Sequence, residues 1–343
     1  MDNSSTRWER LLGTSGIVRF VDINLRGIGQ VMFQNNPLSG LLFLAAVCWG
    51  SYVAGVPRVA IAGVVAVVVA TLTAQWLRAD KESLSAGLYG YNAFLVGLAL
   101  ATFLAPGALL WGYVVLGAIV SVVCMLGVVN AVKPWGLSAL TFPFVLATWL
   151  LLLATYGFAG LTGTALPTGQ VVMPFQAYDT NHVNIVNVTQ GVFHSISQVF
   201  LKQSVVAALL LLAGLIVSSW TAAAFAVGGA VVTVIVAHLL GAESGLITGG
   251  LLGFSPVLTA IALGTVFYRP SGRVVAYTLL GTVITVIAQA AMNVGLRPFA
   301  LPALTAPFVL VSWLFLLPKQ SFEPSAATRV DTEEPVHIRK PAA

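Results

Sequence analysis

The sequence predicts an all-α polytopic membrane protein of two inverted repeats, each with about five transmembrane helices and one re-entrant pore segment, ten crossings in total. Three observations carry this. The chain is 58% hydrophobic and only 8% charged, with a mean hydropathy of +0.94; a soluble domain carries about a quarter charged residues. It is also written twice. ALTFPFVLATWLLLL (139–153) recurs as ALTAPFVLVSWLFLL (303–317), identical at eleven of fifteen positions, and GLYGYNAFLVGLAL (87–100) recurs as GLLGFSPVLTAIAL (250–263). A shorter pair, GIGQV (27–31) and SISQV (195–199), opens each copy. Third, the Lys and Arg residues distribute unequally between the two sides that such a topology creates.

Twelve apolar segments follow, six per copy: 18–34, 37–56, 58–77, 84–102, 106–130 and 137–158, then 188–202, 204–219, 220–241, 245–267, 273–296 and 299–318. Pro37, Pro57, Pro106 and Pro270 fall near segment ends, where proline is best tolerated. Segment 18–34 contains Asp22 and Arg26, four apart and able to pair on one helix face. Segments 84–102 and 245–267 are glycine-rich and read as re-entrant, because broken backbone at membrane depth persists only where protein or a cavity surrounds it. Each copy then crosses five times, and an odd count inverts the second.

This divides the chain into a cytoplasmic N-terminal segment (1–17), a first membrane repeat (18–158), an extracytoplasmic linker (159–187), a second membrane repeat (188–318) and a disordered cytoplasmic tail (319–343). With the N-terminus inside, Arg7, Arg10, Arg58, Lys133, Lys202, Arg269, Arg273, Lys319, Arg329, Arg339 and Lys340 lie on the cytoplasmic side. Only Arg78, Lys81 and Arg297 lie outside, and the linker has no cation. Twelve full crossings fit the charges worse.

Several functions are excluded. The pI near 9.4 reflects these flanking cations and not a nucleic-acid surface. Cys48 and Cys124 sit in apolar runs as packing residues. No catalytic or metal-binding constellation occurs, and no cofactor is expected. The repeated blocks contain no Asp, Glu, Lys, Arg or His, whereas ion-coupled transport requires an ionisable group at membrane depth. A path lined by these blocks suits a neutral solute.

The sharpest local motif is Thr141-Phe142-Pro143 with Thr305-Ala306-Pro307. A proline frees the carbonyl four residues back, here Ala139 and Ala303, and each threonine adds a hydroxyl. Two copies predict rows of oxygens on opposite sides of one pore, replacing a solute's hydration. The plainer reading, a proline at a helix start with a capping threonine, stays open. Gln30 and Gln198 form a symmetric amide pair, suited to hydrogen-bonding an amide-like substrate at each mouth, or simply facing water. Leu95 with Leu258, Tyr91 with Phe254, and Phe33 with Leu201 occupy matching places. They make an apolar slot that admits a planar molecule and excludes hydrated ions, or else ordinary helix packing.

RGIGQVMFQNNPLSGLLFL (26–44), the two glycine-rich blocks and the paired Leu-Thr-x-Pro-Phe element together resemble the urea transporter family over roughly 20–318. The resemblance implies passive, channel-like flow of urea through a separate pore in each subunit of a homotrimer, in a bacterial inner membrane with both termini cytoplasmic. It places Gln30, Phe33, Tyr91, Leu95, Gln198, Val199, Phe254 and Leu258 in two urea slots, and Thr141 and Thr305 at the central constriction beside the oxygen ladders. Where some members carry glutamate, this chain has Gln198. The other readings are a channel for ammonia, water or short amides, or an ion-coupled secondary transporter.

Overall fold

The computed structural model describes residues 15–173 and 184–318, and the duplication is visible in its element order. The first half runs α1 (Gly16–Gln30), α2 (Pro37–Val53), α3 (Arg58–Trp76), α4 (Lys81–Ser85), α5 (Tyr91–Phe103), α6 (Ala108–Val132) and α7 (Phe142–Ala154). The second runs α8 (Ile185–Ser197), α9 (Val205–Ser218), α10 (Trp220–Leu239), α11 (Ser244–Thr248), α12 (Phe254–Ile261, continued by a π-turn at Ala262–Val266), α13 (Gly272–Gly295) and α14 (Ala306–Leu316). No strand occurs among the described residues, apart from one isolated bridge between Leu104 and Gly163. The proposed N-terminal segment up to residue 14, linker residues 174–183 and the tail from 319 lie outside them.

Local chemistry sets the boundaries. Asn36 caps α2 by accepting from Leu38 N–H and Ser39 N–H, and Pro37 occupies the first turn, where its missing N–H costs nothing. Ser204 and Ser219 cap α9 and α10 in the same manner. Asp80 caps α4 through Ser83 N–H, which holds its carboxyl below the usual carboxylate range.

Helices α3, α6, α10 and α13 are long and apolar enough to span a membrane. The pair α8 and α9, bent by 70° at a short break, makes a fifth candidate. The remaining apolar helices, including α5, α7, α12 and α14, are shorter. At 1.5 Å per residue, the 13 residues of α7 cover only about 20 Å of a ~30 Å hydrocarbon core. Every residue of α5 from Tyr91 to Ala101 is buried, as is α12 from Ser255 to Ile261. A helix that is apolar all round belongs in the interior, so these two form the centre.

Both glycine-rich segments are interrupted, as the sequence predicts. Residues 86–90 and 249–253 form turns between a five-residue helix and the central helix. Gly87 (φ +75°) and Gly250 (φ +70°) sit at the bends. A Cβ there would lie 2.3 Å from Gly27 N and 2.3 Å from the His194 carbonyl carbon, so only glycine lets each turn rest on α1 or α8. The halves share one core. Helix α2 packs on α9, and the Phe43 ring lies 5.6 Å from that of Phe200.

Candidate functional site

The turns that rest on α1 and α8 receive the two glutamines. Gln30 Nε2 donates to Ala86 O at 3.0 Å, and Gln198 Nε2 donates to Gly249 O at 3.1 Å. Both side chains are half-buried. Among the described residues nothing donates to either Oε1, so each amide retains an acceptor. One turn before Gln198, His194 Nδ1 lies 2.7 Å from Thr248 O. The matching place in α1 is Arg26, which pairs with Asp22 at 2.6 Å and donates to Asn35 O at 3.0 Å.

The backbone carries the repeat into the site. Phe33 and Leu201 have φ values of +64° and +57°, and Leu140 and Leu304 have +51° and +50°. Non-glycine residues seldom adopt this region, and here it recurs at matching positions. Each left-handed leucine turns the chain so that Thr141 or Thr305 opens the following helix, both with φ −91° and ψ 15°.

The two threonines meet. Thr141 Oγ1 and Thr305 Oγ1 are 2.6 Å apart and buried. The hydroxyls are in contact, with no gap between them. The expectation of oxygens facing one another across a pore does not hold for these hydroxyls. The freed carbonyls also need correction. Ala139 O accepts from Phe142 N–H at 3.1 Å and Ala303 O accepts from Ala306 N–H at 3.2 Å. Pro143 and Pro307 are second residues of their helices, and the tight turn before each helix supplies the donor that an ideal helix would lack. Leu140 O instead accepts from Tyr91 Oη and from Asn92 Nδ2, the latter at 3.3 Å.

Two further bonds tie the halves reciprocally. Trp149 Nε1 donates to Pro302 O at 2.8 Å, and Trp313 Nε1 donates to Ser138 O at 2.8 Å. Each tryptophan thus reaches the chain just before the other half's threonine. Phe33 packs edge-on against Phe308 of the second half, centroids 6.1 Å apart. Leu95, Val199 and Leu258 lie in one buried core cluster drawn from both halves, with Phe33 and Phe254 packed against it. The Asp22–Arg26 ion pair lies in α1, one turn before Gln30. Lys202 lies in the break between α8 and α9, 4% exposed and packed along α2 at Gly50. A separate cavity of about 560 Å³ sits between linker residues 163–169 and Pro298–Ala300. It touches none of the residues predicted from the sequence.

Asn92, Trp149 and Trp313 were not singled out from the sequence, although signals existed. Asn92 is a lone amide in an apolar helix, and the tryptophans are invariant between the copies.

Comparison with known proteins adds an independent finding. A family model described as "Urea transporter" matches residues 21–320. "Urea transporter 1" of Ovis aries is 30% identical over 303 residues, covering 88% of this chain and 77% of that protein. "Urea transporter 1" of Rattus norvegicus is 30% identical over 307 residues with the same coverage, and that of Mus musculus 29% over 304.

Proposed function

The chain belongs to the urea transporter family, and on that premise we propose that urea crosses along the seam between two halves inverted in the membrane. It is a transporter and not an enzyme, moving urea passively across the membrane. The reading rests on one observation above the others. Between the two threonine turns the halves are joined by hydroxyls, indoles and backbone carbonyls, while the buried Lys202 lies at a different contact between the halves, along α2 at Gly50. Urea offers four N–H donors and a carbonyl acceptor. Replacing its hydration needs neutral partners of both kinds, such as the open Oε1 of Gln30 and Gln198 and the hydroxyls of Thr141 and Thr305. A hydrated ion finds no compensation for its far larger desolvation cost.

Reciprocal contacts such as Trp149 to Pro302 and Trp313 to Ser138 accompany two-fold relations. An odd number of crossings per half places that axis in the membrane plane, and we read ten crossings and two re-entrant segments. The cation distribution supports cytoplasmic termini. Lys202 is buried and drops from the count, which leaves ten cations inside against three outside. We extend the proposal to a homotrimer in a bacterial inner membrane, with one pore per subunit, a reading that the family resemblance supports.

Stopped-flow urea flux into proteoliposomes tests the reading. We expect flux far above empty vesicles, unaffected by proton or sodium gradients. Flux equal to empty vesicles overturns it. Ammonia or water permeability exceeding that of urea favours the other neutral-solute reading.

A further inference from the structure

The two halves agree in backbone at the threonine turns and differ in what holds those turns. In the first half the carboxamide of Asn92 bridges the turn. Its Nδ2 donates to Leu140 O at 3.3 Å and its Oδ1 accepts from Phe144 N–H at 3.1 Å. Tyr91 Oη donates to the same Leu140 carbonyl. Thr141 stands between these anchored residues, its preceding backbone held in the left-handed region. Three hydrogen bonds therefore fix the place from which the Thr141 hydroxyl projects.

The second half has none of them. The counterparts of Tyr91 and Asn92 are Phe254, which has no hydroxyl, and Ser255. Ser255 Oγ turns away and donates to Gln289 Oε1 at 2.6 Å. Gln289 occupies the place of Met125, whose sulfur lies 3.7 Å from Asn92 Nδ2. The carboxamide has in effect moved from the central helix to the helix behind it. Gln289 Nε2 then donates to Asn293 Oδ1 at 3.1 Å. Among the described residues nothing donates to Leu304 O or accepts from Phe308 N–H, although the strained φ at Leu304 matches that at Leu140.

We propose that Asn92 is a positioning residue that sets discrimination among amide solutes by bridging Leu140 O and Phe144 N–H and so fixing Thr141, while Ser255 and Gln289 leave the Thr305 side adjustable. A binding wall selects by shape only when its groups are held in place, because a mobile wall reshapes around a larger solute. One held and one adjustable threonine let the solute reorient while it keeps a hydrogen bond, without opening the path to bulkier amides. The Asn92 bridge also shows that this turn's acceptor and donor are spaced to take an N–H and a C=O from one amide group, the pairing that urea also offers.

The inference rests on the urea-transport reading, and the test separates the two. Reconstituted wild-type protein is compared with two transplants: Asn92→Ser with Met125→Gln, which gives the first half the second half's pair, and Ser255→Asn with Gln289→Met, which does the reverse. The readout is the permeability ratio of N-methylurea to urea. A ratio is independent of how many molecules fold or insert, so a merely structural role lowers both permeabilities and leaves it unchanged. We expect the ratio to rise three- to ten-fold in the first transplant and to fall in the second. An unchanged ratio in both, with wild-type urea flux intact, overturns the inference. Absence of wild-type flux overturns the transport reading instead.

Discussion

The hydroxyl oxygens of Thr141 and Thr305 lie 2.6 Å apart, although 164 residues separate them in the chain. Each is buried, and each is the other's side-chain partner. Removing one hydroxyl strands the other, and a stranded buried hydroxyl costs about 1–3 kcal/mol. Thr141→Val or Thr305→Val alone should therefore lower stability by that amount, while the double variant costs less than the sum. Thermal unfolding in detergent measures this. Strictly additive losses would mean that the hydroxyls do not bond each other. Thr141→Val should also weaken selectivity for urea over other small amides.

The turns carrying Gly87 and Gly250 predict a pair of equally intolerant sites. Alanine in the left-handed region costs roughly 1–2 kcal/mol before any clash, and here the added Cβ meets backbone. Gly87→Ala and Gly250→Ala should each abolish flux or folded yield. Gly112→Ala, where a Cβ meets nothing within 4 Å, should be neutral or stabilising by about 1 kcal/mol. Size-exclusion profiles with flux measurements check both, and a well-folded, active Gly87→Ala protein would refute the close docking.

Gln30→Leu and Gln198→Leu should each reduce urea flux. Each removes the acceptor offered to solute and the bond to Ala86 O or Gly249 O. A loss of about 1.4 kcal/mol in the transition state corresponds to roughly tenfold in rate. Unchanged flux in both variants would place the path elsewhere.

The reciprocal tryptophans should be similar but not equal. Leucine at either position deprives a carbonyl of the other half of its donor. Trp313 also stacks edge-on with Phe142, centroids 5.1 Å apart, whereas Trp149 faces the half in which Ala306 replaces that ring. Trp313→Leu should therefore destabilise more than Trp149→Leu by about 0.5–1.5 kcal/mol. Equal losses in unfolding measurements would show that the ring pair contributes nothing.

Much of the fold was legible because its signals are local or repeated. Composition announces helices in a membrane, glycine clusters announce the broken segments, and Asp22 with Arg26 pair at the spacing that places them on one helix face. The carbonyls of Ala139 and Ala303 are not freed, for a geometric reason: the chain before Pro143 and Pro307 is not ideal helix, because the left-handed leucines tighten it there and both carbonyls are satisfied locally. Length was another limit, since apolar stretches such as 137–158 contain turns as well as helix. Helix α7 occupies only Phe142–Ala154 of it.

By itself the sequence determined the duplication, the membrane setting, the absence of charge in the repeated blocks and the family, because each is a property of residue type and spacing. Tertiary structure alone decided that Thr141 meets Thr305, that Trp149 and Trp313 exchange partners, and that Asn92 bridges one threonine turn while its counterpart Ser255 bonds Gln289 instead. These are contacts between segments about 160 residues apart, or choices among hydrogen-bond partners. They depend on how two similar halves are brought face to face, which no local pattern in either copy specifies.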